Sequence, residues 1–102
     1  MNPIIDDNRD ELLSLCEKYR VKRLDIFGSA VGEKFDPETS DLDFLVTFKD
    51  LDFGEYADTY FGLLKSLQEL FDRHIDLVTE SAIDNPYFRE SVEETRMLLY
   101  AA

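Results

Sequence analysis

Three aspartates occupy positions where a strand in a protein core would usually carry apolar side chains. Asp41 and Asp43 lie two residues apart in a segment of alternating polar and apolar residues, so both side chains leave the same face of a strand, with Cα atoms roughly 6.6 Å apart. Asp76 interrupts a second apolar segment, residues 74–79, in the same way. Carboxylates gathered on one face repel one another unless a cation lies between them. Oxygen ligands of this kind favour Mg²⁺ or Mn²⁺ over zinc.

If the two strands are neighbours, the three carboxylates converge on one patch. That is the minimum for a two-metal site, in which ions roughly 3.5–4 Å apart clamp a phosphoryl group. Each acid also has a plainer interpretation: Asp41 and Asp43 could be the solvated face of an edge strand, and Asp76 could face solvent. His74, the single histidine of the chain, is expected to have a supporting or structural role. Asp25 is expected to be structural or solvent-facing.

The pair Gly28-Ser29 directly follows a predicted strand and precedes a possible helical turn. Glycine lets the backbone approach a ligand closely. Backbone N–H groups and a serine hydroxyl at the start of a helix suit a phosphate group. A Gly-Ser pair alone is usually an ordinary turn, but followed by the acidic segments it indicates a site for a phosphate and a metal.

The elements that must position these residues can be read from hydrophobic periodicity. We predict a helix over residues 6–20, a strand over 21–27, a strand over 41–48, a helix over 55–71 with Tyr56 on its buried face, a strand over 74–79, and a last helix from Pro86 to about residue 96. Residues 98–100 could extend that helix or form a short edge strand. The order predicts an α/β (α+β) fold, a small mixed sheet of three to four strands with helices packed on it.

Length and charge limit the function classes. The chain has 102 residues, of which 44% are hydrophobic, so we expect one domain over residues 1–102. The 23 acidic and 11 basic residues give a net charge of −12, which disfavours duplex nucleic acid and anionic membranes and favours cations or a basic partner. The lone Cys16 cannot form an intrachain disulfide and is expected in the core. With neither a signal sequence nor a long apolar segment, we expect a cytoplasmic protein.

The sequence Phe27-Gly28-Ser29, followed by Ser40-Asp41-Leu42-Asp43-Phe44-Leu45-Val46 and later by His74-Ile75-Asp76-Leu77-Val78, resembles the minimal nucleotidyltransferases (MNT) of the polymerase-beta superfamily over nearly the whole chain. The resemblance implies that Gly28 and Ser29 contact the phosphates of ATP. It implies that Asp41 and Asp43 ligate Mg²⁺, with two ions possible and Mn²⁺ able to substitute. Asp76 would complete the metal site and help activate the attacking hydroxyl. Many relatives carry an arginine shortly after the Gly-Ser pair, whereas residues 30–34 offer only Lys34.

Members of this family are often encoded beside a small helical HEPN-type protein, in pairs that resemble toxin–antitoxin systems. The implied function is Mg-dependent transfer of AMP from ATP to a hydroxyl of the partner toxin, with tyrosine as the expected acceptor. The alternative is a catalytically weak or inactive antitoxin that neutralises its partner by binding alone. A transferase acting on RNA or a small molecule is less favoured, because the chain is acidic and too short for an added domain.

Overall fold

The computed structural model describes residues 3–31, 41–52 and 54–102, with Ser29 described in its backbone only; Lys34 and Ser40 therefore lie outside the described residues. In chain order the elements are α1 (Pro3–Asp7), α2 (Arg9–Lys18), β1 (Val21–Phe27), β2 (Leu42–Phe48), α3 (Tyr56–Phe71), β3 (Ile75–Thr79), α4 (Pro86–Thr95) and β4 (Met97–Ala101), with short 3₁₀ turns at Gly28–Ala30 and Glu80–Ala82. The predicted mixture of helices and strands is confirmed.

The four strands form one mixed sheet in the order β3-β2-β1-β4. β1 is antiparallel to both of its neighbours, and β2 and β3 are parallel. Parallel neighbours need a crossover connection, which α3 supplies between them. The open question at residues 98–100 is resolved in favour of a strand, since Leu98 pairs with Asp25 and Tyr100 with Leu24.

The larger core lies between the sheet and helices α1 to α3. The predicted alternation in β2 is confirmed, because Leu42, Phe44 and Val46 are buried in this core. A smaller cluster fills the opposite face of the sheet beneath α4, formed by Phe27, Leu45, Ile83 and Val92. Asp43 alternates with the residues of the larger core and therefore belongs to the face that α4 covers only in part.

Cys16 is fully buried in the larger core, as predicted. Burial, helped by the charge of Glu17, raises the pKa of its thiol to about 12. A thiol with so high a pKa is a poor nucleophile, so Cys16 fills space.

The helix predicted over residues 6–20 is wrong at its ends. It is divided at Asn8, whose side-chain amide donates to the carbonyl of Ile4 at 2.9 Å, and α2 ends at Lys18. Arg20 has a φ of 56° and has left the helix. Its guanidinium donates instead to the carbonyl of Asp50 at 2.7 Å, tying the turn before β1 to the loop after β2.

Two side chains also depart from their predicted environments. Tyr56 is 45% exposed, because it is the first residue of α3. Its ring packs edge-on against Phe48. Asp25 is fully buried, so its structural interpretation is confirmed and the solvent-facing one is wrong. Among the described residues, no helix combines the length and apolar character needed to cross a bilayer.

Candidate active site

The parallel pairing of β2 and β3 brings the predicted acids together. Asp43 lies directly opposite Asp76. The N–H of Leu42 donates to the carbonyl of His74 at 3.4 Å, which carries the pairing one residue further and sets Asp41 beside His74. Since alternate residues of a strand share a face, the four side chains form a two-by-two array at the N-terminal ends of these strands. We call Asp41, Asp43, His74 and Asp76 the acidic array.

Three members of the acidic array have the geometry of a cation site. Asp41, His74 and Asp76 each offer one ligand atom, and these atoms all lie within 4.8 Å of one another. Nε2 of His74 is 3.5 Å from Oδ1 of Asp76, and both side chains are 55% exposed. The sequence did not identify His74 as a ligand, although its spacing of two residues from Asp76 already indicated a shared strand face.

Asp43 is the half-buried member of the acidic array. Its pKa is raised from 3.8 to about 6 by partial burial, by a hydrogen bond with Asp76 and by the charges of Asp76 and Asp41, against which His74 acts. Two carboxyl groups can share a hydrogen bond only if one of them holds a proton. A cation in that place would remove the same repulsion. The residues present therefore fit a divalent metal ion.

Gly28 approaches the acidic array from the end of β1. Phe27 pairs with Asp43 across the sheet, and Gly28 follows with a φ of 73°. A Cβ atom at this position would lie 2.5 Å from Oδ2 of Asp43, so glycine is required both by the backbone and by the contact. The N–H of Gly28 donates to Oγ1 of Thr95 at 2.9 Å. Gly28 thus offers a ligand close access to its backbone while its own N–H is already engaged.

We expect Gly28→Ala to lower the affinity for Mg·ATP by at least about tenfold, a loss of roughly 1.4 kcal/mol, because the new methyl group displaces the Asp43 carboxylate. Gly54→Ala is a matched control: Gly54 has a φ of 101° and a Cβ there would meet nothing within 4 Å. Left-handed backbone strain should cost both variants about 1 kcal/mol of stability, and Gly28→Ala should lose somewhat more because its methyl group also displaces the Asp43 carboxylate. Titration calorimetry and urea unfolding measure the two effects, and equal nucleotide affinity in both variants would contradict the assignment.

Thr95 connects the end of α4 to the glycine turn. Its hydroxyl accepts from Gly28 and donates to the carbonyl of Ser91 at 3.2 Å. Sequence analysis missed this residue, because no local pattern links a threonine to a turn 67 positions away. Thr95 is therefore a positioning residue for the turn.

Thr95→Val keeps the shape of the side chain but leaves the part-buried N–H of Gly28 without its acceptor. The variant should therefore bind Mg·ATP more weakly and lose about 1–3 kcal/mol of unfolding free energy. Thr95→Ser retains the hydroxyl and should recover most of both losses. Nucleotide titration and urea unfolding of the two variants test this. If serine fails to restore affinity, the hydroxyl does not position the turn.

An open cleft of about 390 Å³ adjoins Asp43 and Asp76. Its remaining walls are mostly apolar and come from Phe27, Tyr60, Leu64, Ile75, Leu77, Val78 and Phe88. The rings of Phe27 and Phe88 meet edge to face with centroids 6.1 Å apart, and the Tyr60 hydroxyl donates to the carbonyl of Leu77. A larger depression of about 580 Å³ lies near the other ends of β2 and β3, but no member of the acidic array lines it.

The mixed sheet aligns carboxylates of two parallel strands beside a glycine turn, an arrangement suited to a metal-bound phosphate group. Residues 11–99 match the family model described as a nucleotidyltransferase domain. The chain belongs to this family and is a minimal nucleotidyltransferase. Two proteins of Methanocaldococcus jannaschii, both provisionally named protein adenylyltransferases, are 37% identical over 81 residues and 41% identical over 80 residues. Each alignment covers 78% of this chain and 78% of the relative.

Solved structures share the fold. A chain described provisionally as a minimal nucleotidyltransferase is 29% identical with a TM-score of 0.64, and the match covers 91% of this chain and 90% of the other. A chain from the complex of a tri-AMPylated Shewanella oneidensis HEPN toxin with its MNT antitoxin has a TM-score of 0.64 at 19% identity, covering 95% and 72%. A toxin–antitoxin structure with AMP-PNP gives 0.67 at 21% identity, covering 93% and 74%.

Proposed function

We propose that this chain is a Mg-dependent protein adenylyltransferase that moves AMP from ATP to a tyrosine hydroxyl of a HEPN-type helical toxin, and so acts as its antitoxin. The observation that carries the proposal is the acidic array, held beside the glycine turn at Gly28 by the pairing of β2 with β1 and β3. Support comes from relatives named protein adenylyltransferases and from a neighbour whose complex contains an AMPylated toxin.

In this proposal Asp41, Asp43 and Asp76 would hold Mg²⁺, or Mn²⁺ in its place. When bound, the metal supplies positive charge that offsets the triphosphate, which a protein of net charge −12 otherwise repels. The raised pKa of Asp43 and its hydrogen bond to Asp76 support this assignment. Both indicate that the fold brings the carboxylates so close together that solvent does not fully screen their repulsion.

The chain's own residues bind and orient the reactants. Gly28 and the neighbouring Ser29 would lie against the phosphates at the turn. Gly28 has no side chain to keep them away, and the hydrogen-bond donors would come from Ser29, because the N–H of Gly28 already donates to Thr95. The acceptor oxygen then attacks the α-phosphorus, its bond to phosphorus forms as the bond to the bridging oxygen breaks, and pyrophosphate leaves. The proton of the hydroxyl passes to the carboxylate of Asp76, which adjoins the cleft.

The cleft supports an aromatic acceptor. Its walls include Phe27 and Phe88, whose rings meet edge to face, together with Asp43 and Asp76. A tyrosine side chain has an apolar ring that suits such walls and a hydroxyl at its tip. The ring would lie against the two phenylalanines while the oxygen meets the carboxylates.

The test mixes the purified chain with a HEPN-type helical protein as the proposed partner, ATP and Mg²⁺, and weighs the intact partner by mass spectrometry. We expect one or more AMP adducts on the partner, lost when its exposed tyrosines are changed to phenylalanine. A tight complex with no mass change would instead establish an antitoxin that acts by binding alone.

A further inference from the structure

We propose that His74 is a metal ligand of the acidic array and shifts its preference from Mg²⁺ towards Mn²⁺. The inference rests on the proposed function, since it concerns the metal of the same site. His74 lies beside Asp41 in the register of β2 and β3, and its ligand atom joins those of Asp41 and Asp76 within 4.8 Å.

The surroundings of His74 favour a ligand over a packing role. Its side chain is 55% exposed, so it contributes little to either core. Nε2 lies 3.5 Å from Oδ1 of Asp76, a distance too long for a good hydrogen bond. The imidazole therefore lies within the acidic array, and this weak contact leaves Nε2 available to a metal ion.

The chemistry of the donor set gives the direction of the preference. Mg²⁺ strongly prefers oxygen ligands and keeps several waters. Imidazole nitrogen suits transition metals better. Mn²⁺ is the weakest binder of the first-row series and is usually held by carboxylate oxygens, but it accepts an imidazole nitrogen more readily than Mg²⁺ does. Two carboxylates and one imidazole at this spacing therefore favour Mn²⁺ over Mg²⁺ more than carboxylates alone would.

The experiment measures metal binding by the whole chain with no nucleotide and again with AMP-PNP. Free Mn²⁺ is followed by electron paramagnetic resonance, and Mg²⁺ by its competition with Mn²⁺. We expect His74→Gln to weaken Mn²⁺ binding at least about tenfold, since even a residue that only supports a metal ligand is worth about 10–100-fold in affinity, with Mg²⁺ affinity nearly unchanged. Asp41→Asn is the matched comparison and should weaken both metals.

A spectroscopic readout separates ligation from a general electrostatic effect. Electron spin echo modulation of Mn²⁺ bound without nucleotide should show nitrogen coupling in the parent chain and none in His74→Gln. Absent coupling in the parent, or an equal change of both metals in His74→Gln, would overturn the inference. If Mg-dependent ATP binding and AMP transfer persist under those outcomes, only the inference about His74 is wrong and the proposed function stands. If neither metal binds even with AMP-PNP, the proposed function is wrong as well.

Discussion

Asp43→Asn is expected to reduce AMP transfer by on the order of 10³-fold, the size of effect seen when preorganised electrostatic stabilisation of a reacting group is removed. The asparagine has nearly the same shape as aspartate, but it carries no charge with which to hold a metal ion. Asp43 is also the member of the acidic array that contacts both the glycine turn and Asp76. Its loss therefore acts on the phosphate and on the metal together.

The same substitution should make the metal-free chain more stable. The fold raises the pKa of Asp43 from 3.8 to about 6, so it disfavours the ionised form. A shift of this size corresponds to about 3 kcal/mol, and because the side chain is only partly buried, solvent screening reduces this to about 1 kcal/mol. The folded state binds the proton more tightly, so this penalty is absent below about pH 4, grows as pH rises, and is complete above about pH 6.

Urea unfolding in chelator at pH 4 and pH 7.5, with partner AMPylation measured in parallel, checks both effects. Asp58→Asn is the control, since Asp58 is an exposed carboxylate in the first turn of α3 and should leave transfer unchanged. An Asp43→Asn chain that transfers AMP at the parent rate would remove Asp43 from the site. A stability gain that is the same at both pH values would show that it does not come from the ionised carboxylate.

The parts of the site that depend on residues close together in the sequence are predictable, and those that depend on residues far apart in the sequence are less so. Asp41 and Asp43 share a face because side chains alternate along any strand, so their pairing follows from local sequence. Their approach to Asp76 requires β3 to lie beside β2 in parallel register, with Asp43 opposite Asp76. The long helix between the strands is enough for a parallel crossover, but the register is set by the packing of both core faces.

Other features depended on contacts that leave no local pattern. Thr95 meets Gly28 across the fold, and a threonine near the end of a helix has no distinguishing signal. The helix predicted over residues 6–20 is confirmed over Arg9–Lys18 but wrong at its ends, where Asn8 and Arg20 each donate a side-chain hydrogen bond to a backbone carbonyl. Side-chain hydrogen bonds of this kind override periodicity at element ends.

Asp25 is the clearest case of a residue whose environment the sequence could not specify. Its carboxylate is fully buried and accepts from Nε of Arg23 at 2.9 Å and from Nε of Arg96. Burial disfavours the charge on Arg96, but its hydrogen bonds to Asp25 and Glu93 outweigh that cost and raise its pKa above the ordinary value. Arg96 separates α4 from β4, so the ion pair fastens this junction to β1.

Arg96→Met should therefore lower the free energy of unfolding by about 3 kcal/mol, the lower end of the cost of leaving a buried charge without its partner. The lower end is expected because Arg23 still reaches Asp25. The double variant Asp25→Leu/Arg96→Met removes both charges and should recover most of the loss, since apolar replacement of a whole buried pair is often neutral. Glu80→Gln, which removes the charge from the partly exposed contacts to Arg96 at 3.4 Å and to Arg89 at 3.8 Å, should cost less than about 1 kcal/mol of unfolding free energy.

Urea unfolding of the parent, Asp25→Leu, Arg96→Met and the double variant, combined as a double-mutant cycle, measures the coupling between Asp25 and Arg96. A strong coupling means that the buried charge, and not the lost volume of the arginine stem, causes the destabilisation. If the double variant is as unstable as Arg96→Met alone, the arginine stabilises the junction by packing and by its contacts to Glu80 and Glu93. Arg96→Met should also lower the nucleotide affinity. Thr95 directly precedes Arg96, and it should hold the Gly28 turn less firmly once the end of α4 is released from β1.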